Sequence, residues 1–141
     1  MGAQKTSPMD CRRRPFYPKK RMILMCDFDR GGFVAPEMVK RRRVVVLRVF
    51  EAIALVVPLS ATKPLRLQRY HAELEPAGYR SITVPVWAKA DTTSDVSLDR
   101  LDRVRVHGRN HTERLGELDF MRVLIAVADA TGTAALTVAV R

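Results

Sequence analysis

Two apolar runs organise the chain: residues 43–49 read R-V-V-V-L-R-V and residues 53–60 read I-A-L-V-V-P-L-S. Both are rich in Val, Leu and Ile and lack the helical period, so they predict β-strands. Phe50, Glu51 and Ala52 alone connect them, a length that suits a tight antiparallel hairpin. Residues 22–28 alternate weakly and predict a first strand, which runs into a loop containing Gly31, Gly32 and Pro36. Further strands are expected over 70–74, 81–88 and 103–107, the second of them at a sheet edge because of Pro85. Ser97 can cap a helical turn reaching Leu101. Leu118, Met121, Leu124, Ile125 and Ala128 recur at helical spacing and predict a final amphipathic helix, packed on the sheet and stopped at Gly132. Short, closely spaced strands followed by one helix give a mainly β fold: a small, curled, mostly antiparallel sheet or barrel with a C-terminal α-helix.

Antiparallel pairing of the two central runs sets the start of the first beside the end of the second. Glu37, Arg42 and Ser60 can then converge at one end of the sheet. A carboxylate, a planar cation and a hydroxyl form a set suited to handling phosphate. Each also has a plainer role open to it. Glu37 can pair with Lys40 or Arg41, Arg42 can be a charge guarding the strand entry, and Ser60 can simply form a turn.

The residues in this region carry a resemblance. Asp27-Phe28, then Glu37 with Arg42 five residues later, then Val44-Val45-Val46-Leu47 and Val57-Pro58-Leu59-Ser60, resemble in order and spacing the PemK/MazF family of toxin endoribonucleases. Residues 87–91 (W-A-K-A-D) and 96–101 (V-S-L-D-R-L) are similar to the second half of that family, and the match runs over roughly residues 20 to 130. The resemblance implies an SH3-like small barrel of the CcdB/PemK/MazF type, acting in the cytoplasm as a homodimer that cleaves single-stranded RNA. It also implies inhibition by a cognate acidic antitoxin, and no cofactor or metal.

In that chemistry the 2′-oxygen loses a proton, the phosphorane charge is stabilised and the leaving 5′-oxygen gains a proton. Glu37 is then the candidate proton acceptor, Arg42 a bidentate phosphate clamp and Ser60 a donor to a nonbridging oxygen. Lys40, Arg41, Arg43, Thr62 and Lys63 are the candidate RNA contacts around them. Three departures from the family pattern stand out: Arg43 occupies a position typically held by proline, Arg48 departs as well, and the connection at 50–52 is shorter than usual. They keep two alternatives open, a catalytically inactive or gyrase-targeting relative and a basic SH3-like RNA-binding protein.

Charge sharpens this picture. The 141 residues carry a net charge of +10, with seven cations from Lys5 to Arg21 and five more at Lys40, Arg41, Arg42, Arg43 and Arg48. Without these twelve and the leader's Asp10, the chain is close to neutral. Such localised charge suits a polyanion, whose condensed counterions are released on binding. Composition divides the chain into a disordered basic leader at 1–20, one domain at 21–132 and an apolar tail at 133–141 whose role stays open. Cys11 and Cys26 make neither a disulfide framework nor a metal set, and no apolar run has the roughly 18 residues that cross a membrane. His71, His107 and His111 lack ligand-like company, and Trp87 and Asp91 are read as structural.

Overall fold

The computed structural model describes residues 16–28 and 41–132. The central hairpin forms as expected, from β2 (Arg41–Phe50) and β3 (Ile53–Ser60), paired antiparallel with Phe50 opposite Ile53. Glu51 makes the tight reversal with φ +55°, a left-handed conformation that few non-glycine residues adopt. β1 (Ile23–Asp27) lies on the other side of β2. β4 (His71–Leu74), β5 (Val86–Lys89), β6 (Ser94–Ser97) and the two-residue β7 (Leu101–Asp102) complete the main sheet, in the order β4-β5-β3-β2-β1-β7 with β6 also on β3. A separate hairpin of β8 (Val104–Val106) and β9 (Arg109–His111) precedes α1 (Glu117–Ala130).

The curl of the sheet has a local cause. Along the edge of β3 away from β2, residues 53–56 pair with β6 and residues 59–60 pair with β5. One strand thus belongs to two diverging ladders. The β2–β3 ladder stops at Val44 opposite Pro58, where β3 has no N–H to donate. A register shift between Val46 and Arg48 adds to the bend.

Both faces of the central strands are covered. Ile23, Val45, Leu47, Val57 and Leu59 point toward α1, where Phe120, Val123 and Ala126 join the same buried cluster. Leu24, Cys26, Phe28, Val44, Val46, Ala54 and Val56 form a second cluster on the reverse face with Val96 and Leu101. A sheet buried on two sides gives continuous apolar runs, which is why residues 43–49 and 53–60 show no alternation.

Several expectations are corrected. The stripe Leu118, Met121, Leu124 and Ile125 faces outward, with Leu118 82% exposed, while Phe120, Val123 and Ala126 face the sheet. The helix is apolar on two sides, so spacing alone could not choose. A polar anchor orients it: the Tyr79 hydroxyl donates to Asp119 Oδ2 at 2.7 Å and accepts from the Gly116 N–H at 2.7 Å. Only 86–88 of the expected strand at 81–88 fall in a ladder, as part of β5, and Pro85 lies just before it. Ser97 stands at the N-cap of the 3-10 turn Leu98–Arg100 but makes no capping bond with its side chain. Phe16 and Pro18, assigned to the leader, lie on the domain: Pro18 is buried and the Arg103 guanidinium sits 4.4 Å from the centre of the Phe16 ring. Residues 1–15 and the tail at 133–141 lie outside the described residues.

Candidate functional site

β1 fixes the three consecutive arginines by register: Arg41 is opposite Asp27, Arg42 opposite Cys26 and Arg43 opposite Met25. Side chains alternate across a strand, so Arg42 shares the face of Val44 and Val46, while Arg41 and Arg43 share that of Val45. Arg42 is half-buried, and its Nε is buried without a hydrogen-bond partner among the described residues. Arg41 and Arg43 are exposed. Continuing the β2–β3 register two residues past Val44 and Pro58 sets Arg42 opposite Ser60, on the same face of the sheet. The β2–β3 ladder itself ends at Val44 and Pro58, so no ladder bond joins Arg42 and Ser60, and Ser60 pairs with Trp87 of β5 instead.

Ser60 is only 7% exposed, more enclosed than a turn hydroxyl at a strand end would be. Its Oγ accepts from the Thr62 N–H at 3.1 Å and donates to the Thr62 carbonyl at 3.4 Å. This local turn holds the chain as it leaves β3. Thr62 and Lys63 are exposed just beyond it. Glu37 and Lys40, the other two members of the expected set, lie outside the described residues.

On the face of Arg43 there is a pocket of about 230 Å³. It is lined by all three arginines together with Met25, Leu59 and residues 81–84. A lining of arginines and apolar side chains would accept a planar, negatively charged guest. Residues 80 and 81 are held in place by Glu113, which accepts from the Arg80 N–H at 2.9 Å, the Ser81 N–H at 2.6 Å and the Ser81 hydroxyl. Burial by itself pushes the Glu113 carboxyl up, but the Ser81 and Arg80 bonds and the nearby His111 outweigh it and leave it below its ordinary value. His111 Nε2 lies 3.3 Å from Glu113.

Ser81, Glu113 and Tyr79 were invisible as a set in the sequence. Their contacts span 32 to 40 residues, and no short pattern marks them. Trp87 is buried, as its structural reading requires. The turn after it is held by the hydroxyls of Thr92, Thr93 and Ser94, while Asp91 stays exposed. Cys26 is fully buried beside Arg42, and burial pushes its thiol up to about 11, with Arg100 opposing and Asp27 reinforcing the shift. The thiol is therefore neutral at pH 7.

Comparison with known proteins gives a consistent picture. The family described as the PemK-like, MazF-like toxin of type II toxin-antitoxin systems matches residues 19–130. The uncharacterised Escherichia coli (strain K12) protein YifN is 33% identical over 114 residues, covering 65% of this chain and 76% of its own. Among solved structures, the Mycobacterium tuberculosis toxin MazF-mt6 superposes with a TM-score of 0.56 at 15% identity, covering 79% of this chain and 97% of its own. MazF from Deinococcus radiodurans gives 0.63 at 12% identity, covering 84% and 99%. A chain of the Deinococcus radiodurans MazE-MazF structure gives 0.56 at 10%, with the same coverage. These structural likenesses bear on the fold, which is that of MazF.

Proposed function

The chain belongs to the PemK-like, MazF-like toxins of type II toxin-antitoxin systems, and we propose that it is an endoribonuclease cutting single-stranded RNA at the end of the β2–β3 hairpin. The observation that carries this reading is the state of Arg42: a half-buried cation at a strand end, with one donor lacking an acceptor among the described residues, on the face that the continued register shares with Ser60. A guanidinium keeps its proton at physiological pH and presents parallel donors to two phosphate oxygens. Arg42 is thus suited to stabilise charge and poorly suited to carry protons.

In the proposed step the 2′-oxygen attacks phosphorus while its proton passes to Glu37. The bond from phosphorus to the 5′-oxygen breaks, and the proton returns through solvent to that oxygen. The products are a 2′,3′-cyclic phosphate and a 5′-hydroxyl. Arg42 binds the nonbridging oxygens, where negative charge grows in the transition state. Arg41, Arg43, Lys40, Thr62 and Lys63 hold the flanking chain, and the pocket beside Met25 and Leu59 accommodates one nucleotide. The reaction uses no metal or cofactor.

The exposed cations around the hairpin end also suit an acidic antitoxin segment, which would compete with RNA for the same charge. The protein acts as a homodimer in the cytoplasm on this reading. No described helix is long and apolar enough to cross a membrane.

A second reading, a binding module on the same fold, is favoured by the enclosure of Ser60, whose hydroxyl already serves Thr62. Incubating the purified full chain with a long RNA in EDTA separates the two. Discrete fragments ending in cyclic phosphate support the ribonuclease, and retention of intact RNA supports the binder.

A further inference from the structure

The turn end of the β2–β3 hairpin carries a second pocket, of about 430 Å³, lined by Arg48, Phe50, Ile53, Leu55 and Asp95. Three strands build it in two rows. Arg48 of β2 stands opposite Leu55 of β3, which stands opposite Asp95 of β6; nearer the turn, Phe50 stands opposite Ile53. Residues opposite one another share a face of the sheet, so register alone brings these side chains to one side. The register shift after Val46 is what sets Arg48, rather than Leu47, in the row.

Phe50 is 60% exposed, and the Arg48 guanidinium lies 5.7 Å from the centre of its ring, within cation–π range. The ring is thus steadied and still open to solvent. Arg48 and Asp95 form no ion pair with each other, although they are oppositely charged and in one row. β3 lies between them, and adjacent strands are about 4.8 Å apart. The two charges therefore flank an aromatic and aliphatic surface.

That lining narrows the guest. A carboxylate in the wall disfavours a bare phosphate or an acidic peptide, and an aliphatic guest would leave both charges unused. A nucleobase uses every part, with a π-face for Phe50 and a polar edge for each charge. Guanine alone among the four common bases offers adjacent N–H donors at N1 and N2 to a carboxylate and acceptors at O6 and N7 to a guanidinium. Adenine and cytosine would turn a ring-nitrogen acceptor toward the carboxylate, and uracil would flank its single N–H with two carbonyl oxygens.

We propose that this pocket is a guanine-binding subsite, in which the base stacks on Phe50 beside Ile53 and Leu55, donates to Asp95 and accepts from Arg48. It rests on the ribonuclease reading for RNA as the source of the guanine, and it gives that reaction a sequence preference. Phe50 and Arg42 are at opposite ends of β2, roughly 25 Å apart along an extended strand, so this guanine is not the nucleotide at the cut bond.

The test measures binding of the full chain to 2′-O-methyl hexauridine, which lacks the attacking hydroxyl, and to the same oligomer with one guanosine, inosine, 7-deazaguanosine or adenosine. Guanosine should improve binding by about 10- to 100-fold over uridine or adenosine, the scale of one stacked and hydrogen-bonded base. Inosine lacks the N2 amine and should lose part of that preference in the wild type but nothing further in Asp95→Asn. The 7-deaza base lacks N7 and should behave likewise toward Arg48→Met. Phe50→Ala should reduce the preference for every purine carrying a guanine-like edge. Arg48, Phe50 and Asp95 are exposed, so all three variants should keep the wild-type Tm within a few degrees. A wild type that binds all the oligomers alike overturns the subsite, as does a guanosine preference that survives unchanged in Phe50→Ala and Asp95→Asn. If those two variants instead change the oligomeric state by light scattering and keep the preference, the hairpin end is a contact between copies and the subsite is overturned. If guanosine is preferred through Asp95 yet the wild type cuts no cleavable RNA, the subsite stands and the ribonuclease reading fails. If RNA is cut without regard to guanine, the ribonuclease reading stands and the subsite fails.

Discussion

Ser60 is opposite Trp87 across the β3–β5 ladder, while the continued register of β2 sets Arg42 on its other side. The serine therefore has two jobs. Its hydroxyl satisfies the Thr62 N–H, and it faces the end of the strand where phosphate is proposed to bind. Ser60→Ala should lower stability by about 1 kcal/mol, the usual net value of one hydrogen bond, as well as slowing cleavage. Ser60→Thr keeps the hydroxyl and should retain more of both. Urea denaturation and RNA cleavage on the same preparations check this; an unchanged denaturation midpoint in Ser60→Ala would show that the turn bond contributes nothing.

Glu113 sets the wall of the pocket from a distance. Its carboxyl lies below the ordinary value of 4.5, so the stability it contributes is present above that pH and is lost as pH falls through the lower, folded value. Glu113→Gln should lower stability at pH 7 by about 1–2 kcal/mol, allowing for solvent screening of a partly exposed group. The difference from wild type should shrink below pH 4.5. A constant difference from pH 7 down to pH 3 would remove the charge from the explanation.

Cys26 reports on the same region by its chemistry. With the thiol pushed from 9.0 to about 11, the thiolate fraction at pH 8 falls by about 100-fold, and burial slows access further. In a Cys11→Ser background, alkylation by iodoacetamide should be at least that much slower in the native protein than in urea. The unfolded thiol ionises first as pH rises, so stability from this group is present below pH 9 and declines toward pH 11. Native alkylation at the rate of the unfolded chain would contradict the burial.

The leader divides at Phe16. Removing residues 2–14 should reduce RNA affinity and flatten its salt dependence, because four cations, Lys5, Arg12, Arg13 and Arg14, leave with it. The saturated cleavage rate and Tm should hold. Extending the deletion to residue 18 also removes Phe16, which packs under Arg103, and the buried Pro18, so Tm should then fall. Equal Tm values for the two truncations would show that these contacts do not stabilise the domain.

Much of the architecture was legible because its signals are local. The hairpin announced itself through β-branched runs too short for helices and a connection too short for anything but a turn. Ser60 and Arg42 followed from antiparallel geometry, given the family's spacing. The inward face of α1 was not legible, since Leu118, Met121 and Ile125 are as apolar as Phe120, Val123 and Ala126 and recur at the same spacing. What separates them is the Tyr79–Asp119 bond, a contact 40 residues apart in the chain.

The central claim is that Arg42, and not its neighbour, binds the reacting phosphate. Alternation places Arg43 on the opposite face with Val45, exposed at the pocket, so the two residues are distinguishable by substitution. The most direct measurement is the RNA cleavage rate of Arg42→Ala and Arg43→Ala, each checked for an intact fold by its Tm. Arg42→Ala should lose about 100- to 1,000-fold in rate, while Arg43→Ala should keep its saturated rate and lose affinity only. A folded, fully active Arg42→Ala beside an inactive Arg43→Ala would contradict the account and move the clamp to the other face of the sheet.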